Sequence, residues 1–385
     1  MLGGACAVLF TGVSSPQKAL HSINPDVMVF LLGMFVVGEA MVKSGYLYHV
    51  FHEAFKDARS TGELVFLMLF VIGFLSAILM NDTLAVIGAP LALFYAERQR
   101  ISAKLLLLTL CFAVTTGSVM SPIGNPQNLI IALDGNIADP FTTFLKYLAV
   151  PTVINLGVVY AALRLIYKSD FHSNPLDTSK DALSDPQTAF LCKVSLIVLA
   201  VLIIVKTAFQ GIIPFDIRLS YIAIAAAMPI LIGSRRRFEV VKAIDWHTLV
   251  FFAAMFVLMD SVWTSGAFQS LMAVWKGGVN STGVVLISSV VLSQILSNVP
   301  FVSLYLPALS GGGTAAPSAM MALAAGSTIA GNLFILGAAS NIIVIQNAEK
   351  RGHTLTFLEF ARAGIPITII NTFVYWIYLT LAGSM

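Results

Sequence analysis

Residues 75–90 read LSAILMNDTLAVIGAP, in which Asn81, Asp82 and Thr83 interrupt an apolar run that extends over 63–95. Each half of that run holds about 14 residues, roughly 20 Å of helix, whereas the hydrocarbon core of a bilayer is roughly 30 Å thick. A helix that enters the membrane, turns at a polar tip and leaves by the same side fits these lengths. The stretch therefore predicts a re-entrant helical hairpin.

The composition of the whole chain agrees with a membrane protein. Of its 385 residues, 58% are apolar and 11% are charged, less than half of the roughly 25% charged residues of a soluble domain. The mean hydropathy of +0.88 over the full length favours a polytopic membrane protein over an anchored one. A soluble fold is therefore excluded, and the lipid bilayer is the expected surroundings.

Charge and motifs exclude several function classes. A net charge of +3 without a basic patch indicates no nucleic-acid partner. The chain has no GxxxxGK[ST], HExxH or GxSxG motif, so ATP hydrolysis and protease chemistry are not expected within it, although a separate ATPase subunit remains open. Cys6, Cys111 and Cys192 lie in apolar segments and form no disulfide or thiol metal pattern. We expect neither an enzyme nor a cofactor.

The remaining apolar segments complete the predicted architecture, an all-α polytopic membrane protein with nine crossings and two hairpins. A second interrupted run at 282–309, broken at Asn298-Val299-Pro300, predicts the second hairpin. The segments 104–133 and 317–347 contain Gly, Pro and Asn and predict broken transmembrane helices, since unwound backbone at membrane depth must line a cavity or be buried in protein. Simple crossings are predicted at 26–42, 144–167, 190–209, 219–233, 247–263 and 363–383. The segment 2–13 is too short for a free span and is counted as the ninth crossing, either a shortened helix or one in which the chain begins.

Basic residues set the expected orientation. Fifteen Lys and Arg fall in the loops 43–63, 95–104, 167–189, 234–246 and 348–362, against five in the loops on the other side. Because basic loops stay in the cytoplasm, the N-terminus is predicted inside and the C-terminus outside the cytoplasmic membrane.

The two halves of the chain resemble each other. Residues 23–45 align with 244–266 at an offset of 221, and later matches drift to an offset of 213. We expect an N-terminal repeat at 1–167, a linker with one transmembrane helix at 168–218 and a C-terminal repeat at 219–385; the partner of the linker helix would precede Met1. Five crossings separate equivalent points, so the repeats are inverted. Inverted repeats with paired broken helices are typical of alternating-access transporters with a site at the midplane.

Two hairpin tips and two unwound loops should then converge. Helix N-termini carry a partial positive charge that suits anions, while freed carbonyls and Asn, Ser or Thr oxygens can bind Na⁺. The alternative is that these polar residues only cap broken helices. Four such elements in two symmetric pairs favour a binding site.

The segments LSAILMNDTLAVIGAP, SPIGNPQNLII, LSQILSNVPFVSLYLP and ILGAASNIIVIQNAEKRG resemble motifs of the ion transporter superfamily, in particular its ArsB/NhaD-type permeases and the related divalent anion:sodium symporters. The resemblance implies a homodimer with a scaffold domain and a transport domain that moves like an elevator. It also implies a substrate between the tips and Na⁺ at Asn81/Asn128 and at Asn298/Asn341. The implied substrate- and ion-binding residues are Asn81, Asp82, Thr83, Gly124, Asn125, Asn128, Asn298, Gly337, Ser340 and Asn341.

The first tip departs from the Ser-Asn-Thr tips of dicarboxylate symporters, because Asp82 places a carboxylate there. A carboxylate repels an anion unless it is neutralised. The sequence therefore predicts an ArsB-like, H⁺- or Na⁺-coupled secondary-active transporter of a small inorganic or organic ion such as arsenite. A Na⁺-coupled symporter of dicarboxylate or sulfate, a Na⁺/H⁺ antiporter and an ion channel remain alternatives.

Glu39 and Asp260 are two further acids, each in the last turn of an apolar helix and equivalent at the offset of 221. An acid within a membrane is a candidate for ion coupling. Their position near helix ends equally suits snorkelling or a bond to a neighbouring helix.

Overall fold

The computed structural model describes residues 1–171, 185–209, 217–272, 281–310 and 315–383, and all regular structure within these ranges is helical. The prediction of an all-α membrane protein is confirmed. Among the residues described, six helices are long and apolar enough to cross a bilayer, namely Pro25–Ser44, Thr61–Ile78, Pro140–Ile166, Pro186–Ala208, Trp246–Thr264 and Phe357–Gly383.

The N-terminal half contains nine helices. They are α1 Leu2–Phe10, α2 Pro16–Ser22, α3 Pro25–Ser44, α4 Tyr46–Phe55, α5 Thr61–Ile78, α6 Asn81–Gln99, α7 Ala103–Ser118, α8 Pro126–Asp134 and α9 Pro140–Ile166. Helices α5 and α9 each contain one π-helical turn, at Met68–Ile72 and Leu145–Ala149.

The linker helix and the C-terminal half follow. They are α10 Pro186–Ala208, α11 Leu219–Gly233, α12 Arg237–Ala243, α13 Trp246–Thr264, α14 Ala267–Met272, α15 Thr282–Leu296, α16 Asn298–Ser310, α17 Pro317–Ile329, α18 Ala339–Glu349 and α19 Phe357–Gly383. Helices α11 to α19 follow one another in the same order as α1 to α9, and the bounds of α2 and α12 are related by the offset of 221 seen in the sequence. Each helix of the N-terminal repeat therefore has a counterpart in the C-terminal repeat, as the inverted-repeat transporter fold requires.

The two helices of the first predicted hairpin, α5 and α6, extend beyond the apolar run 63–95 at both ends. The side chain of Ser60 accepts a hydrogen bond from the backbone N–H of Glu63 and starts α5 at Thr61, while α6 continues through polar residues to Gln99. The expectation of two short halves is therefore wrong for this pair, since α5 has 18 residues and α6 has 19. Helices α15 and α16, with 15 and 13 residues, have the predicted lengths. The re-entrant path of both pairs stays a prediction.

Packing divides the helices into two groups that each draw on both repeats. In one group, α3 packs on α11 and α1 packs on the equivalent α13, with α10 against α3 and α11. Gly33 permits a close approach of α3 to α11, because a Cβ at this position would lie 2.8 Å from the carbonyl oxygen of Ala223. In the other group, α7 packs on α5 and α6, and α17 packs on α15 and α16.

The repeats interlock within the second group. Helix α8 of the first broken helix packs on α16 of the second hairpin, and α18 of the second broken helix packs on α6 of the first hairpin. Each hairpin therefore meets the broken helix of both repeats, which brings the four irregular segments together.

Candidate functional site

The first tip is held against the first unwound loop by the backbone. The N–H of Asn81 donates to the carbonyl oxygen of Gly124 at 3.0 Å, and the side-chain oxygen of Asn81 accepts from the N–H of Asp82 at 2.9 Å. Gly124 is required here because a Cβ would lie 2.5 Å from the carbonyl oxygen of Ser118. The predicted pairing of this tip with this loop is present in the structure.

The loop between α7 and α8 is closed by its own asparagines. Asn125 caps α8, since its Oδ1 accepts from the N–H of Asn128 at 2.9 Å. The Nδ2 of Asn128 lies 3.0–3.2 Å from three backbone carbonyl oxygens, those of Ser118, Val119 and Ser121. These are the carbonyls freed by the break in the helix, and a protein donor already occupies them. The polar side chains of Asn125 and Asn128 therefore serve mainly to cap the broken helix.

The second tip has a strained backbone. Ser297 links α15 to α16 with φ +69° and ψ 156°, a conformation that favours glycine and costs about 1–3 kcal/mol for other residues. Asn298 follows it and is 7% exposed, and its Oδ1 is buried without a hydrogen-bond partner. Strain of this kind persists where the surrounding structure imposes it, often at a binding site.

The second unwound loop also leaves oxygens unpaired. Asn341 donates through Nδ2 to the carbonyl oxygen of Gly331 at 2.6 Å, and Asn332 donates to the hydroxyl of Thr116 at 3.0 Å. Buried polar atoms normally have a partner, and an exception indicates an ion or water. The buried oxygens without a partner in this region are Thr115 Oγ1, Ser293 Oγ, Asn298 Oδ1, Asn332 Oδ1, Ser340 Oγ and Asn341 Oδ1.

Gly337 belongs to the same loop. A Cβ at this residue would lie 2.7 Å from the carbonyl oxygen of Ala330 and 3.0 Å from Oε1 of Gln294. The amide of Gln294 also donates to the Ala330 carbonyl at 2.7 Å, which ties the loop to α15 of the second hairpin.

The tips and the starts of α8 and α18 surround one cavity of about 340 Å³, which we call the tip cavity. The first residues of α6, α8, α16 and α18 line it, and α13 lines it through its cap Asp245 and its first turn, so five helix N-termini meet around one space. The residues that line it are Asn81, Asp82, Pro126, Gln127, Asp245, His247, Thr248, Phe251, Phe252, Ser297, Asn298, Val299, Ala338, Ala339 and Ile343.

Sequence reasoning singled out Asp82 and missed a second carboxylate at the cavity. Asp245 caps α13, where its two oxygens accept from the N–H and the hydroxyl of Thr248 at 3.0 and 2.6 Å. Asp245 comes from a helix start outside the broken elements, so only its alignment with Asn24 in the repeat gave a signal. Asp82, Asp245 and Glu39 also line a smaller adjoining cavity of about 80 Å³.

The two candidate coupling acids have different surroundings. Glu39 borders the smaller cavity and pairs with Lys43 at 3.7 Å on its own helix. Asp260 pairs with Lys18 of α2 at 3.5 Å and lines neither of these two cavities. The bond to a neighbouring lysine agrees with the structural interpretation of both residues, and Glu39 alone is also placed beside Asp82.

In the residues that the structure describes, no cluster of three or more His, Cys, Asp or Glu side chains could hold a metal ion. A larger crevice of about 580 Å³ lies between α5, α9 and α10, but its lining is almost entirely apolar and includes neither tip. The oxygen-rich second loop therefore remains the best candidate for a cation, as Na⁺ is bound in transporters by carbonyl and side-chain oxygens of broken helices.

Comparison with known proteins identifies the family. A family model described as a citrate transporter, CitMHS, matches residues 1–317. An uncharacterized transporter of Mycobacterium bovis is 27% identical over 99% of this chain and 92% of its own length. The silicon efflux transporter LSI3 of Oryza sativa subsp. japonica is 24% identical over 97% of this chain and 90% of its own length.

Solved structures share the fold. The YdaH transporter of Alcanivorax borkumensis has a TM-score of 0.62 at 17% identity over 94% of this chain and 87% of its own. MtrF of Neisseria gonorrhoeae has a TM-score of 0.57 at 12% identity over 98% of this chain and 84% of its own. The resemblance to the ion transporter superfamily is thereby confirmed, and the chain belongs to the CitMHS citrate transporter family as a multi-pass membrane transporter.

Proposed function

We propose that the chain is a secondary-active transporter that carries a small oxyacid of the arsenite class through the tip cavity and couples this movement to Na⁺ bound at the second unwound loop. The observation that carries the proposal is the charge balance of the tip cavity. The five helix N-termini together are equivalent to roughly two to three positive charges. Asp82 and Asp245 supply two carboxylates, and no Lys or Arg lines the tip cavity in the described part of the chain.

A near-balanced cavity favours a neutral substrate that carries several hydroxyl groups. Such a molecule donates to the carboxylates of Asp82 and Asp245 and accepts from the N–H groups at the helix starts. Arsenite and silicic acid are both neutral hydroxides near pH 7. The relative in rice, named as a silicon efflux transporter, supports this substrate class.

The coupling ion is assigned to the second loop because its free oxygens are hard ligands without a competing protein donor. Ser340 Oγ, Asn341 Oδ1 and Asn298 Oδ1 are buried and unpaired there. A Na⁺ ion at this loop would neutralise part of the carboxylate charge and bind together with substrate. This assignment supports the Asn298/Asn341 site more than the Asn81/Asn128 site.

The two helix groups support an elevator mechanism. The group built on α3, α11 and α13 would be the scaffold and carry the homodimer contact, and the group that contains both hairpins would be the moving transport domain. The excess of basic residues in five loops supports an orientation in the cytoplasmic membrane with the N-terminus inside and the C-terminus outside.

A second candidate is Na⁺-coupled symport of an organic or inorganic anion. The citrate transporter description of the family model and the five converging helix N-termini favour it. It requires Asp82 to be protonated or neutralised by a cation, because an ionised carboxylate at the tip repels the anion.

The test is a thermal-stability screen of the purified protein in detergent, followed by flux into proteoliposomes. The protein is heated in Na⁺, K⁺ or choline, each alone and with arsenite, silicic acid, citrate or sulfate, since a ligand of the folded state raises its melting temperature. We expect a shift with Na⁺ that arsenite or silicic acid enlarges. A shift enlarged only by citrate or sulfate would favour the anion symporter, and a shift that depends on pH alone would replace Na⁺ by H⁺.

A further inference from the structure

Two buried threonines occupy equivalent places in the repeats. Thr115 on α7 and Thr328 on α17 are related by the offset of 213 that also relates Asn128 to Asn341. Both threonine side chains are 1% exposed. Each lies on the helix that leads into an unwound loop, so the repeat symmetry predicts the same hydrogen bonds for both.

In the N-terminal loop, hydrogen bonds join Asn128 both to its own loop and to the threonine of the opposite repeat. Nδ2 of Asn128 donates to the carbonyl oxygen of Ser118 at 3.2 Å. The hydroxyl of Thr328, which comes from the opposite repeat, donates to Oδ1 of Asn128 at 3.3 Å and accepts from Nε2 of Gln127 at 3.2 Å. The N-terminal loop is thus closed by a residue of the C-terminal repeat.

In the C-terminal loop, the asparagine bonds to its own loop, but the bond to the threonine of the opposite repeat is absent. Nδ2 of Asn341 donates to the carbonyl oxygen of Gly331, the residue equivalent to Ser118. The equivalent of the cross-repeat bond would join Thr115 Oγ1 to Oδ1 of Asn341. Both of these atoms are buried and have no hydrogen-bond partner.

Thr115 borders the C-terminal loop. A Cβ on Gly331 would lie 3.2 Å from Cγ2 of Thr115 and 2.8 Å from Cβ of Ala338. The neighbouring Thr116 accepts a hydrogen bond from Asn332, and α18 packs on α7. The side chain of Thr115 is therefore on the side of α7 that meets the loop with the unpaired oxygens.

We propose that Thr115 is a ligand of the coupling cation, supplied by the N-terminal repeat to the site of the C-terminal repeat. Its hydroxyl oxygen and Oδ1 of Asn341 stay unbonded to each other because both face the cation. Binding then joins α7 to the second loop across the repeats, as Thr328 already joins α17 to the first loop. This inference rests on the proposed Na⁺ coupling and adds a residue that belongs to neither motif of the second site.

The test measures the Na⁺ concentration that gives half of the maximal rise in melting temperature, with choline chloride keeping the ionic strength constant. Thr115→Val removes the oxygen ligand and retains the shape, so the half-maximal Na⁺ concentration should rise about tenfold or more. Thr115→Ser restores an oxygen and should stay within about threefold of the unmodified protein. Thr115→Ala replaces the valine variant if the latter does not fold.

Thr109→Val is the matched control. Thr109 is equally buried on α7, and its hydroxyl bonds only to the Leu105 carbonyl of its own helix at 2.7 Å. This variant should keep the half-maximal Na⁺ concentration of the unmodified protein. An unchanged value in Thr115→Val, in a protein that responds to Na⁺, overturns the role of Thr115 alone. No response to Na⁺ in the unmodified protein overturns the proposed coupling and this inference together.

Discussion

The two unwound loops have equivalent sequences and different bonding. In the N-terminal loop, Asn128 occupies three freed carbonyls and its own oxygen accepts from Thr328. In the C-terminal loop, Asn341 occupies one carbonyl and its oxygen has no partner. The same residue type at the same repeat position therefore closes one loop and leaves the other open.

The two tips differ as the loops do, since the N-terminal tip is hydrogen-bonded to its loop and the C-terminal tip has a strained backbone. The first tip meets its loop through a backbone hydrogen bond and has ordinary dihedral angles, whereas Ser297 at the second tip has a positive φ. Asp82 gives the first tip a carboxylate, and its counterpart at the second tip is Val299. The tip of the N-terminal half thus carries a charged side chain, and the tip and loop of the C-terminal half carry unpaired oxygens that suit a cation.

The largest effect is expected at Asp82. Asp82→Asn removes a charged hydrogen-bond acceptor from the tip cavity, so arsenite or silicic acid flux into proteoliposomes should fall about 10- to 100-fold while the protein stays folded. Glu53→Gln is the control, because Glu53 is exposed on α4 and pairs with Lys56 away from both tips. Flux with unchanged rate and pH dependence in Asp82→Asn would remove this residue from the mechanism and weaken the contrast between the tips.

Replacing each asparagine by alanine tests the contrast between the loops directly. Asn128→Ala leaves three carbonyls buried without a donor and should lower the free energy of unfolding by about 1–3 kcal/mol, with a small change in the Na⁺ response. Asn341→Ala should lower stability less and abolish the Na⁺-dependent rise in melting temperature.

Asn347→Ala is the matched control, since Nδ2 of Asn347 bonds only within α18 to the Ile343 carbonyl at 2.9 Å. Loss of the Na⁺ response in Asn128→Ala and its retention in Asn341→Ala would reverse the assignment of the cation to the second loop. A weakened Na⁺-dependent rise in melting temperature in both Asn128→Ala and Asn341→Ala would support two equivalent cation sites, one in each loop.

These loops also show how far the sequence can be interpreted. Gly, Pro and Asn inside apolar runs identify the breaks, and the repeat pairs them, so Asn128 and Asn341 are found without a structure. Their different bonding depends on which oxygen faces which helix in three dimensions. Asp245 is missed because an acid at the start of a helix usually serves as a cap, which it also is here. Thr115 and Thr328 are missed because threonine is common in helices, although the repeat offset aligns them.

The glycines of the loops should respond unequally. An alanine Cβ at Gly124 meets the backbone carbonyls of Ser118 and Ser76 at 2.5 and 2.8 Å, so Gly124→Ala should lower the free energy of unfolding by about 1–3 kcal/mol. Gly337→Ala should cost less, because its shortest backbone contact, with the Ala330 carbonyl oxygen, is 2.7 Å rather than 2.5 Å, and its next contact is the side chain of Gln294 at 3.0 Å. Gly157→Ala, with no atom within 4 Å, is the control for thermal unfolding. Equal losses at both loops would show that they are equally rigid.

The smallest effect concerns how the melting temperature depends on acid pH, to which Asp185, outside both loops, contributes. Asp185 precedes α10, and hydrogen bonds from the Thr188 hydroxyl and N–H, with Arg236 nearby, hold the pKa of Asp185 below its ordinary value. A lowered folded-state pKa adds stability above the unfolded-state value of about 3.9, and this stability is lost as the pH falls through the folded-state pKa. Asp185→Asn keeps a capping oxygen and cannot titrate, so its melting temperature should fall less steeply in acid. If the two proteins melt in parallel below pH 5, the acid sensitivity arises elsewhere, and acid-range differences between the loop variants should be assigned to the loops themselves.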